Sequence, residues 1–391
     1  MHEMIERFEV RVDDSVLVDL RSRLAQTRFA DQIEGSGWEY GMPVDYLREL
    51  VTYWRDTYDW RDQEARLNRF EHFRTRIDGQ SIHFIHARSV HANAIPLLIM
   101  HGWPGSVVEF LDVIPLLTDP EAHGGRATEA FHVVAPSLPG YGFSEGTRTS
   151  GWDVLRMARA FIKLMSRLGY PRYGAQGGDW GAQIATRIGA LDADHCAAIH
   201  LNMPIASRPD DPGSLSDDEK ADLAAMGEFQ REESGYALEQ GTRPQTLGMA
   251  LNDSPAGLLA WIVEKFRTWS DCDGDPENSF SRDQLITNVM LYWVTRSITS
   301  SQRLYWEHLH GESSRAPEYV AVPTGVARYP KEILRYPRSW VERHYNVTHW
   351  AVMPRGGHFA AMEQPTLFVE DLRSFFGTVQ RSPRRLGSTP G

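Results

Sequence analysis

The sequence predicts an α/β fold with a mostly parallel central sheet, and three observations support this class. Residues 95–100 and 131–135 are continuous apolar runs, which are typical of strands buried on both faces. Strand and helix patterns alternate between residues 94 and 204, as expected for parallel strands joined by right-handed crossovers. Residues 205–315 then carry only helical patterns, before the strand pattern returns. We therefore expect a core in two parts, with a helical insertion, or lid, between them.

The composition allows a large core and excludes several kinds of partner. Hydrophobic residues make up 41% of the 391 residues, which is enough to bury a full-sized core. The formal net charge of −11 argues against general binding of nucleic acid and against docking on anionic lipid. Two cysteines, Cys196 and Cys272, are too few for a disulfide framework or a structural zinc site. Only four of the 41 basic residues are lysines, which we interpret as the codon bias of a GC-rich bacterial genome.

The sequence contains no segment typical of membrane insertion or export. No apolar run reaches the roughly 18 residues of a spanning helix, and the N-terminus lacks the charged and apolar regions of a signal peptide. We therefore expect a soluble, cytoplasmic protein without a membrane partner.

The first part of the chain, residues 1–92, is predicted to form a lead-in with a helix and a hairpin. Residues 44–56 repeat apolar side chains at helical spacing, so this helix needs another surface to pack on. Strands at residues 73–77 and 81–86 flank the turn pair Asp78-Gly79, which is a hairpin signal.

The remaining elements follow in order along the core and the lid. Further strands are predicted at residues 173–177, 197–201, 319–326 and 347–353, and further helices at residues 152–168, 180–188 and 365–376. In the lid, Ser216 and Ser281 each begin a capping box, and Ser254 precedes a proline at the first helical position. The predicted divisions are the lead-in 1–92, the core 93–204, the lid 205–315, the second core part 316–380 and a disordered tail 381–391.

The motif Gly177-Gly178-Asp179-Trp180-Gly181 lies where a predicted strand turns into a helix. Small residues two positions before and after Asp179 permit a tight turn, which exposes its side chain and offers the next backbone N–H to an oxyanion. A carboxylate there attacks an sp³ carbon and leaves an alkyl ester. The motif therefore predicts a substrate with an electrophilic carbon and a leaving group, such as an epoxide or an alkyl halide. The alternative is that Asp179 only caps the helix.

Two further motifs supply groups that an alkyl ester would need. His358 follows the last predicted strand, and imidazole is a base near neutral pH that can activate water. The stretch His101-Gly102-Trp103-Pro104-Gly105 follows an earlier strand. The backbone N–H groups of Trp103 and Trp180 would form the oxyanion hole during ester hydrolysis. The alternative for this stretch is an ordinary glycine and proline turn.

A carboxylate that orients the histidine could follow either of two predicted strands. After residues 197–201 the chain offers Asn202, which carries no charge, and after residues 319–326 it offers Glu332. We therefore assign Glu332 this role. Glu342 is a weaker candidate because it is expected to lie in the helix before the last strand. The alternative for Glu332 is a surface glutamate.

Two tyrosines in the lid could protonate the oxygen of an opening epoxide ring. A phenol stays protonated at neutral pH and donates a strong hydrogen bond. Tyr236 comes just after a capped helix, and Tyr305 lies in residues 301–306. Core packing is the alternative for each, because the chain is rich in aromatic residues.

Taken together, these motifs resemble those of epoxide hydrolases of the microsomal type, within the α/β-hydrolase superfamily. The other matching segments are residues 37–41, 58–60, 138–144, 251–255, 264–266, 300–303, 322–325 and 355–359, so the resemblance covers nearly the whole chain. It implies an α/β-hydrolase fold with a helical lid and an N-terminal extension. It also implies Asp179 as nucleophile, His358 as base, Glu332 as the partner of the base, and Tyr236 and Tyr305 as ring-opening acids.

The resemblance carries further implications for the site and its partners. Trp103, Pro104 and Trp180 would contact the substrate, and the bond between Trp103 and Pro104 would be cis. We expect no cofactor and no metal, a small-molecule epoxide as partner, and leave a homodimer open. Mammalian members carry an N-terminal membrane anchor, whereas this chain starts in the soluble domain, so a microsomal location is not transferred.

Two other functions remain as alternatives. A haloalkane or haloacid dehalogenase also uses an aspartate nucleophile followed by tryptophan, but it binds halide through indole or amide N–H groups and needs no tyrosine acid. A non-catalytic ligand-binding homologue would be expected to lose a triad member, and every member is present. Residues 271–275 resemble a calcium loop but have glycine at the fourth position, so we interpret them as an acidic surface loop.

The substrate is expected to be a bulky aromatic epoxide. The chain has 12 tryptophans, several of them near the lid and the lead-in, which suggests a roomy aromatic pocket. Bacterial relatives occur in secondary-metabolite pathways, including those of enediyne antibiotics, and the arginine bias fits an actinomycete host. An enediyne-type epoxide is therefore one hypothesis.

Overall fold

A single nine-stranded sheet organises the structure, which is a computed structural model that describes residues 4–311, 317 and 319–381. Its strands are β1 (Glu6–Phe8), β2 (His72–Ile77), β3 (Gln80–Ala87), β4 (Ile95–Met100), β5 (Phe131–Pro136), β6 (Tyr173–Gly177), β7 (Cys196–Leu201), β8 (Val320–Arg328) and β9 (Tyr345–Val352). Their order is β1-β2-β3-β5-β4-β6-β7-β8-β9. The pairs from β5 to β9 are parallel, and the others are antiparallel. The predicted mostly parallel sheet is confirmed.

The helices of the described residues fall into four groups along the chain. They are α1 (Asp14–Ala25), α2 (Val44–Asp56) and α3 (Trp60–Leu67) in the lead-in; α4 (Val113–Thr118), α5 (Val154–Arg167) and α6 (Asp179–Leu191) in the core; α7 (Asp217–Glu232), α8 (Gly235–Thr242), α9 (Pro244–Leu251), α10 (Pro255–Trp269), α11 (Arg282–Thr295) and α12 (Ile298–His310) in the lid; and α13 (Arg338–Val341), α14 (Ala360–Glu363) and α15 (Pro365–Arg381) after it. Apart from residue 381, which ends α15, the tail predicted to be disordered lies outside the described residues.

The predicted hairpin forms between β2 and β3 and joins the central sheet. Asp78 and Gly79 have φ values of 52° and 80°, as a type I′ turn requires, and Ile77 faces Gln80 across the turn. Because β3 also pairs with β5, the lead-in extends the sheet at its antiparallel edge.

The helix predicted at residues 44–56 forms α2 with the same bounds, and it packs on the lid. Leu50, Val51 and Trp54 form its buried face. Close by, the Tyr58 hydroxyl lies 3.0 Å from the Thr287 hydroxyl of α11. The surface that this amphipathic helix required is therefore supplied by the insertion.

Helices cover both faces of the sheet. On one face α5 packs against α6, and on the other α15 packs against α4. Strand β8 meets both layers, because Gly189 of α6 lies against Val320 and Val322, whereas Phe375 of α15 lies against Gly325. This layering leaves the carboxyl ends of the parallel strands to be covered by the lid.

The lid helices begin as predicted and are fixed to the core loop after β4. Ser216, Ser254 and Ser281 cap α7, α10 and α11 through their side chains. From α11, the Asn288 amide and the Tyr292 hydroxyl donate hydrogen bonds to the carbonyls of Pro104 and Gly105, at 2.8 and 2.6 Å. None of the described helices combines the length and hydropathy of a membrane span.

Candidate active site

Asp179 lies at the turn between β6 and α6, in a strained backbone conformation. Its φ of 49° falls in the left-handed region, which a residue other than glycine rarely adopts. A Cβ on Gly177 would lie 2.1 Å from the carbonyl oxygen of Gly181, and one on Gly181 would lie 2.1 Å from that of Met100. The prediction that both positions must be small is therefore confirmed.

The carboxylate of Asp179 rests against the loop that follows β4. Its Oδ1 accepts a hydrogen bond from the backbone N–H of Trp103 at 2.8 Å. A Cβ on Gly102 would lie 2.0 Å from the same oxygen, so this close approach requires glycine. The contacts of the described residues include no hydrogen bond from the Trp180 N–H to the carboxylate. The bond between Trp103 and Pro104 is cis, as predicted.

His358 lies between two carboxylates. Its Nδ1 is 2.6 Å from Glu332 Oε1, and its Nε2 is 3.4 Å from Asp179 Oδ2. Glu332 is only 1% exposed, and the same Oε1 accepts a hydrogen bond from the Ile333 N–H at 2.7 Å. A carboxylate oxygen only accepts hydrogen bonds, so in this contact Nδ1 carries the proton, and Nε2 faces Asp179.

The other two positions considered for the orienting carboxylate form no hydrogen bond or ion pair with the imidazole among the described residues. Asn202 is buried, and its Oδ1 accepts a hydrogen bond from Gln176 Nε2 at 3.3 Å. Glu342 follows α13 and forms an exposed ion pair with Arg338 at 2.6 Å. Of the three, only Glu332 contacts His358 within the described part of the chain.

Burial and charge set the protonation states at this centre. Burial acts to lower the pKa of His358, but the charges of Glu332 and Asp179 and hydrogen bonds to both outweigh it, so the pKa is raised. Burial raises the pKa of Tyr236 and of Tyr305 far above the ordinary phenol value, and neighbouring negative charge adds to this effect. Both phenols therefore keep their protons at neutral pH.

Tyr236 and Tyr305 come together at Trp103. Tyr236, the second residue of α8, stacks on Trp103 with ring centroids 5.2 Å apart. Tyr305 of α12 meets Trp103 edge-on at 5.9 Å and Trp180 at 4.8 Å. Trp269 closes the cluster, since its ring lies 5.0 Å from that of Tyr236. The lid therefore brings both predicted acids to the loop that contacts Asp179.

The cavity beside Asp179 and His358 has a volume of about 20 Å³. Its polar lining includes Glu109, Gln176 and Asn202 as well as the aspartate and the histidine. The roomy aromatic pocket stays a prediction, because Tyr236, Tyr305 and Trp180 are not among the residues that line this small cavity.

The segment that follows α10 joins the lid to the histidine loop. The carbonyl of Trp269 accepts a hydrogen bond from the His358 N–H at 2.9 Å, and Asp271 Oδ2 accepts one from the Gly356 N–H at 2.8 Å. Residues 273–275 are exposed, as expected of an acidic surface loop. That interpretation is wrong for Asp271 and Cys272, because the first turns inward to bind backbone and the second is 2% exposed.

Glu363 completes this connection. Its two carboxylate oxygens accept hydrogen bonds from the Asp271 N–H at 2.8 Å and the Phe359 N–H at 2.9 Å. Burial raises the pKa of Glu363 to about 7, although these two hydrogen bonds act to lower it. We call Trp269, Asp271 and Glu363 the lid–histidine clamp.

Glu109 and the clamp carboxylates were not identified from the sequence. Glu109 follows Ser106 at the spacing of a capping box, a signal that predicts a helix start rather than a site. Asp271 was assigned to the surface, and Glu363 carries no signal in the sequence. Across the described ranges, no group of three or more His, Cys, Asp or Glu side chains is arranged to hold a metal ion.

Comparisons with known proteins match nearly the whole chain. The family model described as "Epoxide hydrolase N terminus" matches residues 5–110, and the model described as "alpha/beta hydrolase fold" matches residues 95–249. Epoxide hydrolase 1 of Sus scrofa is 42% identical over 409 residues, which cover 97% of this chain and 90% of the relative.

Solved structures give the same result. Juvenile hormone epoxide hydrolase from the silkworm Bombyx mori superposes with a TM-score of 0.90 at 35% identity, covering 97% of this chain and 95% of the other. The epoxide hydrolase of Aspergillus niger superposes with a TM-score of 0.86 at 34% identity, covering 96% and 97%.

Proposed function

The chain belongs to the epoxide hydrolase family, and from this membership we propose that it hydrolyses an epoxide to a vicinal diol through a covalent ester on Asp179. Epoxide hydrolases are enzymes, so the alternative of a non-catalytic ligand-binding protein is set aside. The observation that carries the covalent mechanism is the placement of His358 between the carboxylates of Glu332 and Asp179.

In the first step, Asp179 opens the ring. Oδ2 attacks a ring carbon, the bond between that carbon and the ring oxygen breaks, and an alkyl ester forms. The ring oxygen takes a proton from Tyr236 or Tyr305, which remain protonated because burial raises their pKa values. The Trp103 N–H keeps Oδ1 in place, which presents Oδ2 to the substrate.

In the second step, His358 activates water. Esterification removes the negative charge of Asp179, one of the groups that raise the pKa of His358, so the imidazole becomes a better-matched base. Nε2 takes a proton from water, and the hydroxide adds to the ester carbon. The oxyanion on Oδ1 is stabilised by the Trp103 N–H, which already contacts this oxygen, and the Trp180 N–H joins it only as the intermediate forms.

Collapse of this intermediate returns every group to its starting state. The bond from the ester carbon to the alkyl oxygen breaks, and the diol leaves with the oxygen that belonged to Asp179. The carboxyl formed on Asp179 gives its proton to the departing alkoxide. The imidazolium of His358 returns its proton to the tyrosinate, so the net reaction is epoxide plus water.

A single turnover in heavy-oxygen water tests the covalent step. With enzyme in excess over styrene oxide, the first diol should carry an unlabelled oxygen from Asp179. Label in the first diol, with none from the enzyme, would mean that water opens the ring directly. A second test is His358→Gln, for which mass spectrometry should detect an ester on the peptide that contains Asp179. Absence of this adduct would contradict the role of His358.

Dehalogenation remains the second candidate, and one observation favours it. The buried indole N–H groups of Trp103 and Trp269 have no hydrogen-bond partner among the described residues, and such groups can hold a halide. The two tyrosines at the site instead favour an epoxide, whose oxygen needs a proton. Release of bromide from 1,2-dibromoethane, compared with diol formation from styrene oxide, distinguishes the two reactions.

For the substrate, we propose an uncharged epoxide that carries an aromatic group. Trp103, Trp180, Trp269 and the two tyrosines provide faces on which a ring could stack once the lid opens. cis-Stilbene oxide should therefore be a better substrate than 1,2-epoxybutane. The narrower hypothesis of an enediyne-type secondary metabolite predicts biosynthetic genes beside this one, and a locus without them would count against it.

A further inference from the structure

The cavity beside Asp179 and His358 is the right size for a single water molecule. A water needs roughly 10–15 Å³ of such space and two to four polar partners. The cavity has about 20 Å³, and five of its lining residues carry polar side chains. One of them, Gln176, is 1% exposed, and its Oε1 has no hydrogen-bond partner among the residues that the structure describes. A water in this cavity would satisfy that oxygen.

Glu109 is one of the polar lining residues that the two steps above do not use. It lies on the short helical turn Val107–Phe110, just after the loop that contacts Asp179. A Cβ on Gly105 would lie 1.7 Å from Glu109 Oε1, so the carboxyl folds back over the loop backbone. Glycine at position 105 leaves the space that this conformation requires.

The surroundings of Glu109 keep it fixed and mostly protonated. Asn288 and Tyr292 hold the loop through the carbonyls of Pro104 and Gly105. Burial raises the pKa of Glu109 to about 8; the charge of Asp179 adds to the rise, and that of His358 opposes it. A protonated carboxyl can both donate and accept a hydrogen bond, which is what a bound water needs.

We propose that Glu109 and Gln176 bind the hydrolytic water and position it between the ester carbon of Asp179 and Nε2 of His358. This inference rests on the proposed covalent function and names the residues that serve its second step. The water gives one proton to His358, and its oxygen forms the new bond to the ester carbon. Glu109 keeps its own proton throughout, so it positions the water and does not act as the base.

The test separates the two half-reactions. Rapid mixing of enzyme with styrene oxide, followed by tryptophan fluorescence, gives the rates of ester formation and ester hydrolysis. We expect Glu109→Ala to slow hydrolysis by about tenfold or more, because small misplacement of a reactant is costly. Ester formation should change by less than about threefold, so the ester accumulates and KM falls together with kcat.

Three further variants complete the test. Glu109→Gln should keep most of the hydrolysis rate, because an amide also donates and accepts. Gln176→Met removes the second anchor while leaving the loop after β4 intact, and should slow hydrolysis alone even if Glu109→Ala does not fold. Glu121→Ala, at an exposed glutamate, is the control and should match the wild type.

The outcomes distinguish this proposal from the function on which it rests. If the wild type forms and hydrolyses the ester, and neither Glu109→Ala nor Gln176→Met slows hydrolysis selectively, the water site is wrong. Equal slowing of both half-reactions would also overturn it, because it would indicate a structural role. If the wild type forms no ester on Asp179, the proposed function and the water site both fail.

Discussion

Several residues of the site are fixed by backbone crowding rather than by their own chemistry. Gly102, Gly177 and Gly181 each lie so close to a neighbouring atom that a methyl group would overlap it. At Gly102 the neighbour is the Asp179 carboxylate itself. A substitution at position 102 therefore acts on the proposed nucleophile, whereas one at Gly177 or Gly181 acts on the turn that carries it.

The variant Gly102→Ala should lose activity far more than stability. A Cβ there would lie 2.0 Å from Asp179 Oδ1 and would push the carboxylate away from the Trp103 N–H. We expect kcat/KM to fall by about 100-fold, since a displacement of about 1 Å can cost that much. Styrene oxide kinetics and thermal unfolding measure the two effects. Gly227→Ala, which meets nothing closer than 3.7 Å, is the matched control.

The pH dependence of ester hydrolysis should report on Glu332. The negative charge of Glu332 helps to raise the pKa of His358 against the effect of burial. The neutral variant Glu332→Gln should lower that pKa, so the rising limb of the pH profile moves to lower pH while the maximal rate falls. Single-turnover rates between about pH 5 and pH 9 would show this. A limb that stays in place or moves upward would contradict the assigned electrostatics.

At the scale of elements, the lid and the histidine loop behave as one unit. The lid–histidine clamp joins the end of α10 to the backbone on both sides of His358. The sequence does not predict this connection, because Asp271 and Glu363 lie 92 residues apart. The loop that carries the proposed base is therefore held by the insertion as well as by the core.

The variant Glu363→Gln should destabilise the fold by about 1–3 kcal/mol at pH 5, because an amide nitrogen would face a backbone N–H. Burial raises the pKa of Glu363 to about 7, above its pKa of 4.5 in the unfolded chain. The carboxyl therefore stabilises the fold fully at pH values below the unfolded pKa, and this stabilisation is lost as the pH rises through about 7. The difference in unfolding free energy between the wild type and the variant should therefore become smaller as the pH rises. Urea unfolding at pH 5 and pH 8 measures it, with exposed Glu370→Gln as control. A deficit that grew with pH would contradict this sign.

The elements with strong local signals could be predicted from the sequence, and those that depend on tertiary pairing could not. The helix at residues 44–56 and the strand at residues 173–177 match their predicted bounds. β1 has three residues and forms because it pairs with β2, and α1 and α3 carry weaker patterns than α2. At the site, motif residues were predictable, whereas Glu109 needed the fold to bring its side chain to the cavity.

At the scale of the whole molecule, one carboxylate ties the last helix to two strands. Asp371 of α15 lies 2.8 Å from His200 Nε2 of β7 and 2.7 Å from His349 Nε2 of β9. Burial acts to raise the pKa of Asp371, but the hydrogen bonds from both histidines hold it well below its usual range. The sheet and its covering helix are therefore joined through a buried charged group.

The variant Asp371→Asn should cost about 1–3 kcal/mol of stability near neutral pH, as expected when the acceptor of buried hydrogen bonds is replaced. Because the carboxyl pKa is lower in the fold than its value of 3.8 in the unfolded chain, Asp371 stabilises the fold at pH values above 3.8. This stabilisation is lost as the pH falls through the pKa of the folded state. The wild type should therefore lose stability on acidification more steeply than the variant. Exposed Asp210→Asn is the control in urea titrations. Equal acid sensitivity of Asp371→Asn and wild type would contradict the assignment.

The anchoring of α11 to the loop after β4 has a consequence for attempts to change selectivity. Asn288 and Tyr292 hold the carbonyls of the segment whose N–H group contacts Asp179. Mutant libraries directed at these positions should lose turnover, because the substitutions would loosen the segment that contacts Asp179. Libraries confined to α7 and α9 would leave these contacts untouched. Substrate preference should therefore be easier to change through substitutions in α7 and α9 than through substitutions in α11.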